Sequence, residues 1–221
     1  MGQRTTKQIL IVDDHPIVRR GLADLVNDEP DLEVCGQAAN AQEALDCVQQ
    51  VRPDVIICDL TLNGMGGLEL IKRLHAADPH VKVLVSSMHD EMVYAERVLK
   101  AGGMGYINKQ ETIDKLVDGI HAVLAGNVFL SDKMTERLLK RRLRNQSDAD
   151  ESPVDTLSDR ELEVFQLFGQ GKTTKETAQR LNLSVKTIES HRENIKTKLG
   201  ISNSNELTRR AVEYVINEQT S

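Results

Sequence analysis

The sequence is poor in aromatic residues and contains no long apolar segment. It has no Trp and only three Tyr and three Phe, so aromatic residues make up 3% of its 221 residues and its cores must be aliphatic. No stretch approaches the ~20 consecutive apolar residues of a membrane-spanning helix. Residues 1–7 are polar, which is not typical of a signal peptide. We therefore expect no membrane partner.

Cysteine motifs and nucleotide-binding motifs are also missing. The three cysteines, Cys35, Cys47 and Cys58, form no C-x-x-C and no metal-ligand spacing. We expect them to be reduced thiols in a cytoplasmic protein. There is no G-x-G-x-x-G after the first apolar run and no P-loop, which argues against a dinucleotide-binding fold and against ATP held by this chain.

The charge is unevenly distributed along the chain. The formal net charge is -6, and residues 1–126 hold 12 Lys and Arg against 19 Asp and Glu. Residues 157–221 hold 10 against 9. The acidic first part suits a cation site. The last part is not strongly basic, so a nucleic-acid role must rest on its motif rather than on its bulk charge.

Residues 1–126 alternate between short apolar runs and amphipathic helical patterns. The runs at 8–12, 32–35, 55–59, 81–85 and 105–107 predict strands, and the patterns at 16–26, 41–51, 68–77, 91–101 and 113–124 predict helices. Five such alternations predict an α/β domain, with a five-stranded parallel sheet wound doubly and covered by helices on both faces.

The rest of the chain is predicted to be helical. A helix over 131–144 ends in the basic run 140–144, which either contacts DNA phosphates or is a solvated helix end. A polar linker follows over 145–155. From Leu157 onward we expect four helices in an all-α domain, with Ser158 and Glu161 forming a capping box. The three-residue turn Asn182-Leu183-Ser184 predicts a helix-turn-helix. The predicted domains are thus 1–126, the linker region 127–156, and 157–221.

Polar residues follow four of the predicted strands. They are Asp13 with Asp14, Asp59, Ser87 and Lys109. Parallel strands end at one edge of the sheet, so these side chains should meet there. Adjacent carboxylates repel one another and need a cation, and oxygen ligands suit Mg²⁺. We expect Asp14 and Asp59 as direct ligands, Asp13 through water, and the backbone carbonyl of Thr61. A simpler alternative is that Asp59 only caps the next helix.

The same residues suit phosphoryl transfer. Asp59 would attack the phosphorus atom as the nucleophile, while Mg²⁺ and the Lys109 ammonium stabilise the incoming charge and Ser87 donates a hydrogen bond. This reaction needs no strong base. We therefore interpret His15 and His89, which lie near the site in sequence, as solvent-exposed loop residues.

These motifs resemble a known family in both parts of the chain. Residues 1–126 resemble the flavodoxin-like receiver domain of two-component response regulators, and 157–221 resemble the LuxR-type helix-turn-helix. The receiver match lies in Asp13-Asp14, Asp59, Ser87, Tyr106 and Lys109, and the second match lies in Leu157-Ser158-x-Arg160-Glu161 and in Ser184 to His191. Together the two matches resemble the NarL/FixJ subfamily.

The resemblance implies that a sensor histidine kinase phosphorylates Asp59 in a reaction that depends on Mg²⁺. It also implies that Ser87 and Tyr106 form the switch, and that the only catalysis is the protein's own phosphorylation and dephosphorylation. Ser87 could turn toward an aspartyl phosphate, and Tyr106 could turn inward and reshape the helix over 91–101. Tyr106 could also be an ordinary strand tyrosine. Whether phosphate releases the DNA-binding part or promotes dimerisation stays open.

The helix over 185–199 is expected to lie in the major groove of promoter DNA. Val185, Ile188, Ile195 and Leu199 should face inward. The predicted DNA-binding residues are Lys186, Thr187, Glu189, Ser190, His191, Glu193, Asn194 and Lys198. Glu189 and Glu193 either accept hydrogen bonds from cytosine or only form ion pairs along the helix. A homodimer would bind two half-sites.

Other functions remain open at this stage. One is a DNA-binding protein whose receiver is controlled by a ligand or an interaction, independently of phosphorylation. Another is a phosphatase with an aspartyl intermediate, although Thr61 stands where a second carboxylate would be expected. The third is an adaptor whose terminal helices bind proteins.

Overall fold

The computed structural model describes residues 6–143 and 153–220, with side chains described up to residue 217. The chain divides into two compact units, Met1–Glu136 and Arg137–Ser221. Most of the predicted polar linker (145–152) lies outside the described residues, and so does Arg144 at the end of the basic run. Among the described helices, none combines the length and the apolar character that crossing a bilayer requires.

The first unit is built on a five-stranded parallel sheet with the order β2-β1-β3-β4-β5. Its strands are β1 (Lys7–Val12), β2 (Leu32–Ala38), β3 (Val55–Cys58), β4 (Val83–Ser87) and β5 (Gly105–Asn108). The predicted five-stranded, doubly wound sheet is therefore confirmed. The strand order reverses at β1 and β3, and their carboxyl ends border the crevice where such sheets place their sites.

Five helices cover the two faces of this sheet. They are α1 (Pro16–Asp28), α2 (Ala41–Val51), α3 (Gly67–Ala77), α4 (Glu91–Ala101) and α5 (Ile113–Leu124). Helices α1 and α5 pack on one face, in a cluster that includes Ile9, Ile57 and Ile120. Helices α2, α3 and α4 lie side by side on the other face. Because both faces are covered, β3 is an uninterrupted apolar run with all four residues buried.

Some details of the first unit differ from the predictions. Strand β2 extends beyond Cys35 to Ala38, since Gly36, Gln37 and Ala38 pair with the end of β1 although none of the three is β-branched. Ile17 belongs to the apolar pattern of α1 but is 89% exposed. It lies in the first turn of the helix, before the residues that pack on the sheet.

A short segment after α5 adds to the edge of the sheet beside β5. The Phe129 amide donates to the Met104 carbonyl at 3.0 Å, and the Phe129 carbonyl accepts from the Tyr106 amide at 2.9 Å. Helix α6 (Asp132–Leu143) begins directly after this segment. The sequence does not predict this pairing, because it depends on contacts between distant parts of the chain.

The second unit is helical. A 3₁₀ turn at Pro153–Thr156 precedes α7 (Asp159–Gly169), α8 (Thr174–Arg180), α9 (Val185–Leu199) and α10 (Ser204–Thr220). This confirms the predicted four-helix domain. The capping box of Ser158 and Glu161 is present, and Thr173 and Glu176 form a second one at the start of α8.

Helix α7 packs against both α9 and α10. The inward face of α9 consists of Ile188, Ile195 and Leu199, as predicted. The prediction was wrong for Val185, which is 46% exposed. Val185 is the first residue of α9, so it lies at the end of the helix beyond the packed face.

Candidate functional site

The carboxylates after β1 and β3 form a tight acidic cluster. Strand register places Val12 beside Cys58, and the Asp59 amide donates to the Val12 carbonyl at 2.9 Å. Asp13 and Asp59 therefore leave adjacent strands side by side, and both are buried. Four residues each offer one ligand atom, and these four atoms all lie within 4.8 Å of one another: Asp13, Asp14, His15 and Asp59.

Lys109 supplies a positive charge to this cluster. Its Nζ lies 2.6 Å from Asp13 Oδ2 and 2.7 Å from Asp59 Oδ2. Its amide donates to the Ser87 carbonyl at 2.8 Å, which continues the pairing of β4 with β5. Burial would lower the pKa of Lys109, but the charges of Asp59 and Asp13 outweigh that effect and the pKa is raised. The ammonium form is therefore strongly favoured.

The cluster fits a hard divalent cation. The site holds three carboxylates and one ammonium, and the ammonium contacts only Asp13 and Asp59, so negative charge is left at a partly buried site. His15 Nδ1 lies 2.7 Å from Asp14 Oδ1, and Asn63 Nδ2 donates to Asp14 Oδ2 at 2.9 Å. The Thr61 amide donates to Asp59 Oδ1 at 3.2 Å. Asp13, Asp14 and Asp59 offer oxygen atoms, which is the ligand type that Mg²⁺ binds.

Ser87 and Tyr106 lie in the two strands beyond β3, at the end of β4 and in β5. Both are 1% exposed. The Tyr106 hydroxyl donates to the His89 carbonyl at 2.8 Å, so the ring is turned inward. The two predicted switch residues are therefore close to the same loop between β4 and α4.

The interpretation of His89 as a solvent-exposed loop residue was wrong. Its Nε2 lies 2.9 Å from Thr61 Oγ, and its ring centroid lies 4.9 Å from that of Tyr94. Burial lowers the pKa of His89, although the charge of Asp59 opposes this shift, so the neutral imidazole is favoured. His15, in contrast, is 60% exposed at its side chain.

The sequence contains a signal that could have revealed this contact. Thr61 stands two residues after Asp59, and His89 stands two residues after Ser87. Strands β3 and β4 are neighbours in the sheet, and Cys58 pairs with Val85. The loops that follow them therefore leave the sheet side by side, with Thr61 three residues and His89 two residues past the end of its strand.

Gly67 lets the start of α3 pack directly against the backbone of Asp59 and Leu60. A Cβ atom at position 67 would lie 2.2 Å from the Asp59 carbonyl oxygen and 2.7 Å from the Leu60 Cα. We expect Gly67→Ala to destabilise the fold by about 1–3 kcal/mol, because backbone must move to relieve the overlap. Chemical denaturation measures this change. The matched control is Gly21→Ala within α1, where a Cβ would meet nothing within 4 Å. That variant should be stabilised by about 0.4–1 kcal/mol. If it were destabilised as much as Gly67→Ala, the effect at Gly67 could not be assigned to overlap with the backbone of Asp59 and Leu60.

The predicted DNA-binding residues lie along α9 with differing exposure. Thr187 and His191 are half-buried, and the exposed ones are Lys186, Glu189, Ser190, Glu193, Asn194 and Lys198. Burial lowers the pKa of His191, although the charge of Glu161 opposes this shift. Glu193 lies 2.8 Å from Lys196, as the ion-pair alternative requires. Lys198 differs from the others, because its Nζ lies 2.6 Å from the buried Glu161 carboxylate.

Comparison with protein families gives two matches. The response regulator receiver domain matches residues 9–121. The LuxR family of bacterial regulatory proteins matches residues 155–211. The first range contains the acidic cluster with Lys109, and the second contains α7 to α9.

Individual relatives cover nearly the whole chain. The transcriptional regulatory protein LiaR of Bacillus subtilis is 36% identical over 197 residues, which are 88% of this chain and 92% of LiaR. RcsB of Salmonella enterica serovar Typhimurium, solved on the promoter rprA with the phosphomimetic BeF3-, has a TM-score of 0.65 at 26% identity. That comparison covers 93% of this chain and 98% of RcsB. A structure of two RcsB dimers on two parallel DNAs has a TM-score of 0.57 at 27% identity, with 93% and 98% covered.

Proposed function

Because this chain belongs to the response-regulator family, with a receiver domain followed by a LuxR-type DNA-binding domain, we propose that Mg²⁺-dependent phosphorylation of Asp59 by a sensor histidine kinase controls its binding to promoter DNA. The protein is a two-component transcription regulator, and its relatives are regulators rather than conventional enzymes. What we propose is which residues accept the phosphoryl group and how that reaction controls DNA binding.

One observation carries the proposal for the receiver. Asp59 is buried at the carboxyl end of β3, with Lys109 at 2.7 Å and two further carboxylates within the same cluster. A capping role needs none of these neighbours. A carboxylate nucleophile that accepts a phosphoryl group does need a positive charge beside it, together with acidic ligands for a metal ion.

Each residue then has a role. Asp59 attacks the phosphorus atom with a carboxylate oxygen, and the donor's nitrogen leaves as the new P–O bond forms. Lys109 stabilises the negative charge on the phosphoryl oxygens. Asp14 and Asp59, with Asp13 through water and the Thr61 carbonyl, would hold Mg²⁺. When bound, Mg²⁺ neutralises further charge on the phosphoryl oxygens. No base is required, because a carboxylate carries no proton to remove.

Ser87 and Tyr106 are suited to sense the new group. The Ser87 hydroxyl lies at the end of the strand next to β3, so it can donate to a phosphoryl oxygen on Asp59. The Tyr106 hydroxyl is bonded to the His89 carbonyl in the same loop. A shift of Ser87 would move that carbonyl and thereby the start of α4.

The DNA-binding part would place α9 in the major groove of a promoter. Lys186 and Thr187 at its start suit phosphate contacts, and Glu189, Ser190, Glu193 and Asn194 are exposed where base edges would lie. RcsB in complex with promoter DNA, and as dimers on DNA, supports a homodimer on two half-sites for this chain. We place the protein in the cytoplasm, where both a kinase and DNA are accessible.

The proposal is tested by the mobility of a DNA fragment that the protein selects from a random pool. With acetyl phosphate and Mg²⁺, we expect wild type to bind the fragment more tightly, because the aspartyl phosphate shifts the receiver toward its active form. Asp59→Asn should show no response to acetyl phosphate. If both proteins bind equally with and without the phosphodonor, the receiver is controlled independently of phosphorylation. If neither protein selects DNA, the terminal helices serve another kind of partner.

A further inference from the structure

The first turn of α7 contacts both helices of the helix-turn-helix. The Arg160 guanidinium donates through Nη2 to the Leu181 carbonyl at the end of α8, at 2.8 Å. The next residue, Glu161, accepts from Lys198 in the last turn of α9, at 2.6 Å. Two consecutive residues of α7 thus hold the ends of α8 and α9.

The Glu161 carboxylate is buried and held in place by the capping box. It is 5% exposed, and the same Oε2 atom accepts from the Ser158 amide at 2.8 Å in the capping box. Burial would raise its pKa, but the hydrogen bonds from Lys198 and Ser158 outweigh that effect and the pKa is lowered. The ion pair is therefore formed at neutral pH, and its buried partner holds it in one geometry.

Apolar and charged contacts both hold α9 in the second unit. Its buried residues are Ile188, Ile195 and Leu199, which set the face that turns inward. The ammonium of Lys198, held at 2.6 Å by a buried carboxylate, adds a short charge-assisted hydrogen bond to these apolar contacts. The Glu161–Lys198 pair is thus a short directional contact at the carboxyl end of α9, where Arg210 also donates to the Leu199 carbonyl at 3.4 Å.

We propose that Glu161 is a positioning residue for DNA recognition, and that Lys198 acts by orienting α9 through Glu161 and does not bind a phosphate. This inference rests on the proposed DNA-binding function. An ammonium already paired with a protein carboxylate releases no counterions from DNA, so Lys198 should add nothing to the salt dependence of binding.

The test measures the affinity for the selected duplex over a range of salt concentrations, for full-length protein treated with acetyl phosphate and Mg²⁺. For Lys198→Gln we expect binding about tenfold weaker, because a displaced α9 would lose about as much affinity as one bidentate contact with a base contributes. The slope of log K against log salt should not change. For the matched control Lys186→Gln, which lies on the same helix without this partner, the slope should become shallower by about 0.9 for each phosphate that the lysine neutralises in wild type. Lys198→Arg should restore affinity, because a guanidinium can still pair with Glu161.

The outcomes distinguish a failure of this inference from a failure of the proposed DNA-binding function. A shallower salt slope for Lys198→Gln would show that Lys198 contacts a phosphate. An unchanged affinity would show that Lys198 contributes nothing to DNA binding. Glu161→Gln keeps an acceptor for the Ser158 amide and should reproduce the weaker binding of Lys198→Gln, and circular dichroism checks that both variants fold. If wild type binds no duplex at all, the DNA-binding proposal fails instead.

A second and independent observation concerns the start of α6. Glu91, in the first turn of α4, accepts from the Ser131 amide at 2.8 Å, and the Ser131 hydroxyl accepts from the Met134 amide at 3.2 Å. The Phe129 carbonyl accepts from the Tyr106 amide. The segment that begins α6 is therefore attached to α4 and to the strand that carries Tyr106.

The geometry points to Glu91 as a latch that couples the phosphorylation site to α6. Glu91 follows His89, whose carbonyl holds the Tyr106 hydroxyl, by only two residues. A phosphoryl group on Asp59 that draws Ser87 toward it would pull this loop and weaken the hydrogen bond from Ser131 to Glu91. This inference rests on the proposed phosphorylation of Asp59. When Asp59 is phosphorylated, Glu91 would release the start of α6.

Hydrogen exchange at the Ser131 and Met134 amides tests the latch in full-length protein. Acetyl phosphate with Mg²⁺ should speed exchange in wild type by about tenfold, the scale of breaking one charge-assisted hydrogen bond. Glu91→Ala should exchange fast without the phosphodonor and show no further response, while Glu96→Ala on the same helix should behave as wild type. A response of the same size in Glu91→Ala would overturn the latch. If intact mass shows no added phosphoryl group in wild type, the proposed phosphorylation fails and not the latch alone.

Discussion

Lys109→Met should slow phosphoryl uptake by Asp59 about 10²- to 10³-fold, the effect of removing one preorganised group that stabilises a developing negative charge. The Lys109 ammonium lies 2.7 Å from Asp59 and 2.6 Å from Asp13, so it contacts two of the three carboxylates of the acidic cluster. No described residue of the cluster replaces this charge, since His15 is directed at Asp14. The rate is measured by intact mass over time with acetyl phosphate and Mg²⁺.

The control for this variant is Lys115→Met. Lys115 is an exposed lysine on α5 whose Nζ lies 2.9 Å from Glu111, outside the cluster. This variant should be phosphorylated at the wild-type rate. If Lys109→Met also keeps the wild-type rate, the ammonium does not act on the phosphoryl group and is only a structural partner of Asp13 and Asp59.

Asp14→Asn should weaken Mg²⁺ binding by at least about 100-fold, because even the outer partners of metal ligands are worth 10- to 100-fold in affinity. Asp14 lies in the acidic cluster with Asp13 and Asp59, and it is the member that Lys109 does not contact within hydrogen-bond distance. Isothermal titration calorimetry with MgCl₂ measures the affinity directly, without phosphoryl transfer.

Asp24→Asn is the matched control for the metal site, since Asp24 is an exposed carboxylate on α1. It should bind Mg²⁺ as wild type does. Wild-type affinity in Asp14→Asn would assign the metal to other ligands, and weak binding in both variants would point to a nonspecific effect of net charge.

The sequence predicts much of the fold because its local signals agree with the packing. Helices α2, α4 and α5 begin and end where the apolar periodicity and the capping residues place them. Asn40 and Asp90 cap α2 and α4, and Gly102 in the left-handed conformation ends α4. The β3 run is apolar at every position because the sheet buries both of its faces.

The meeting of Asp13, Asp59 and Lys109 also follows from topology. Once the strands are parallel and adjacent, residues at their carboxyl ends must lie at one edge, whatever the details of packing. The members of the acidic cluster could therefore be named from the sequence, although its distances could not.

The remaining contacts depend on geometry that no local pattern encodes. The pairing of Phe129 with β5 joins backbone groups and leaves no trace in side-chain chemistry. Lys198 has the exposed helical position of a phosphate contact, and only the placement of α7 gives it Glu161 as a partner. Val185 has the apolar character of a core residue but stands at the first position of its helix.

The most direct test of the account is the site of phosphoryl addition. After incubation with acetyl phosphate and Mg²⁺, intact mass and fragment mapping should show one phosphoryl group per chain, on Asp59, and none when EDTA removes the metal. No added mass on wild type, or the same addition in Asp59→Asn, would contradict the claim that the cluster of Asp13, Asp14, Asp59 and Lys109 accepts a phosphoryl group.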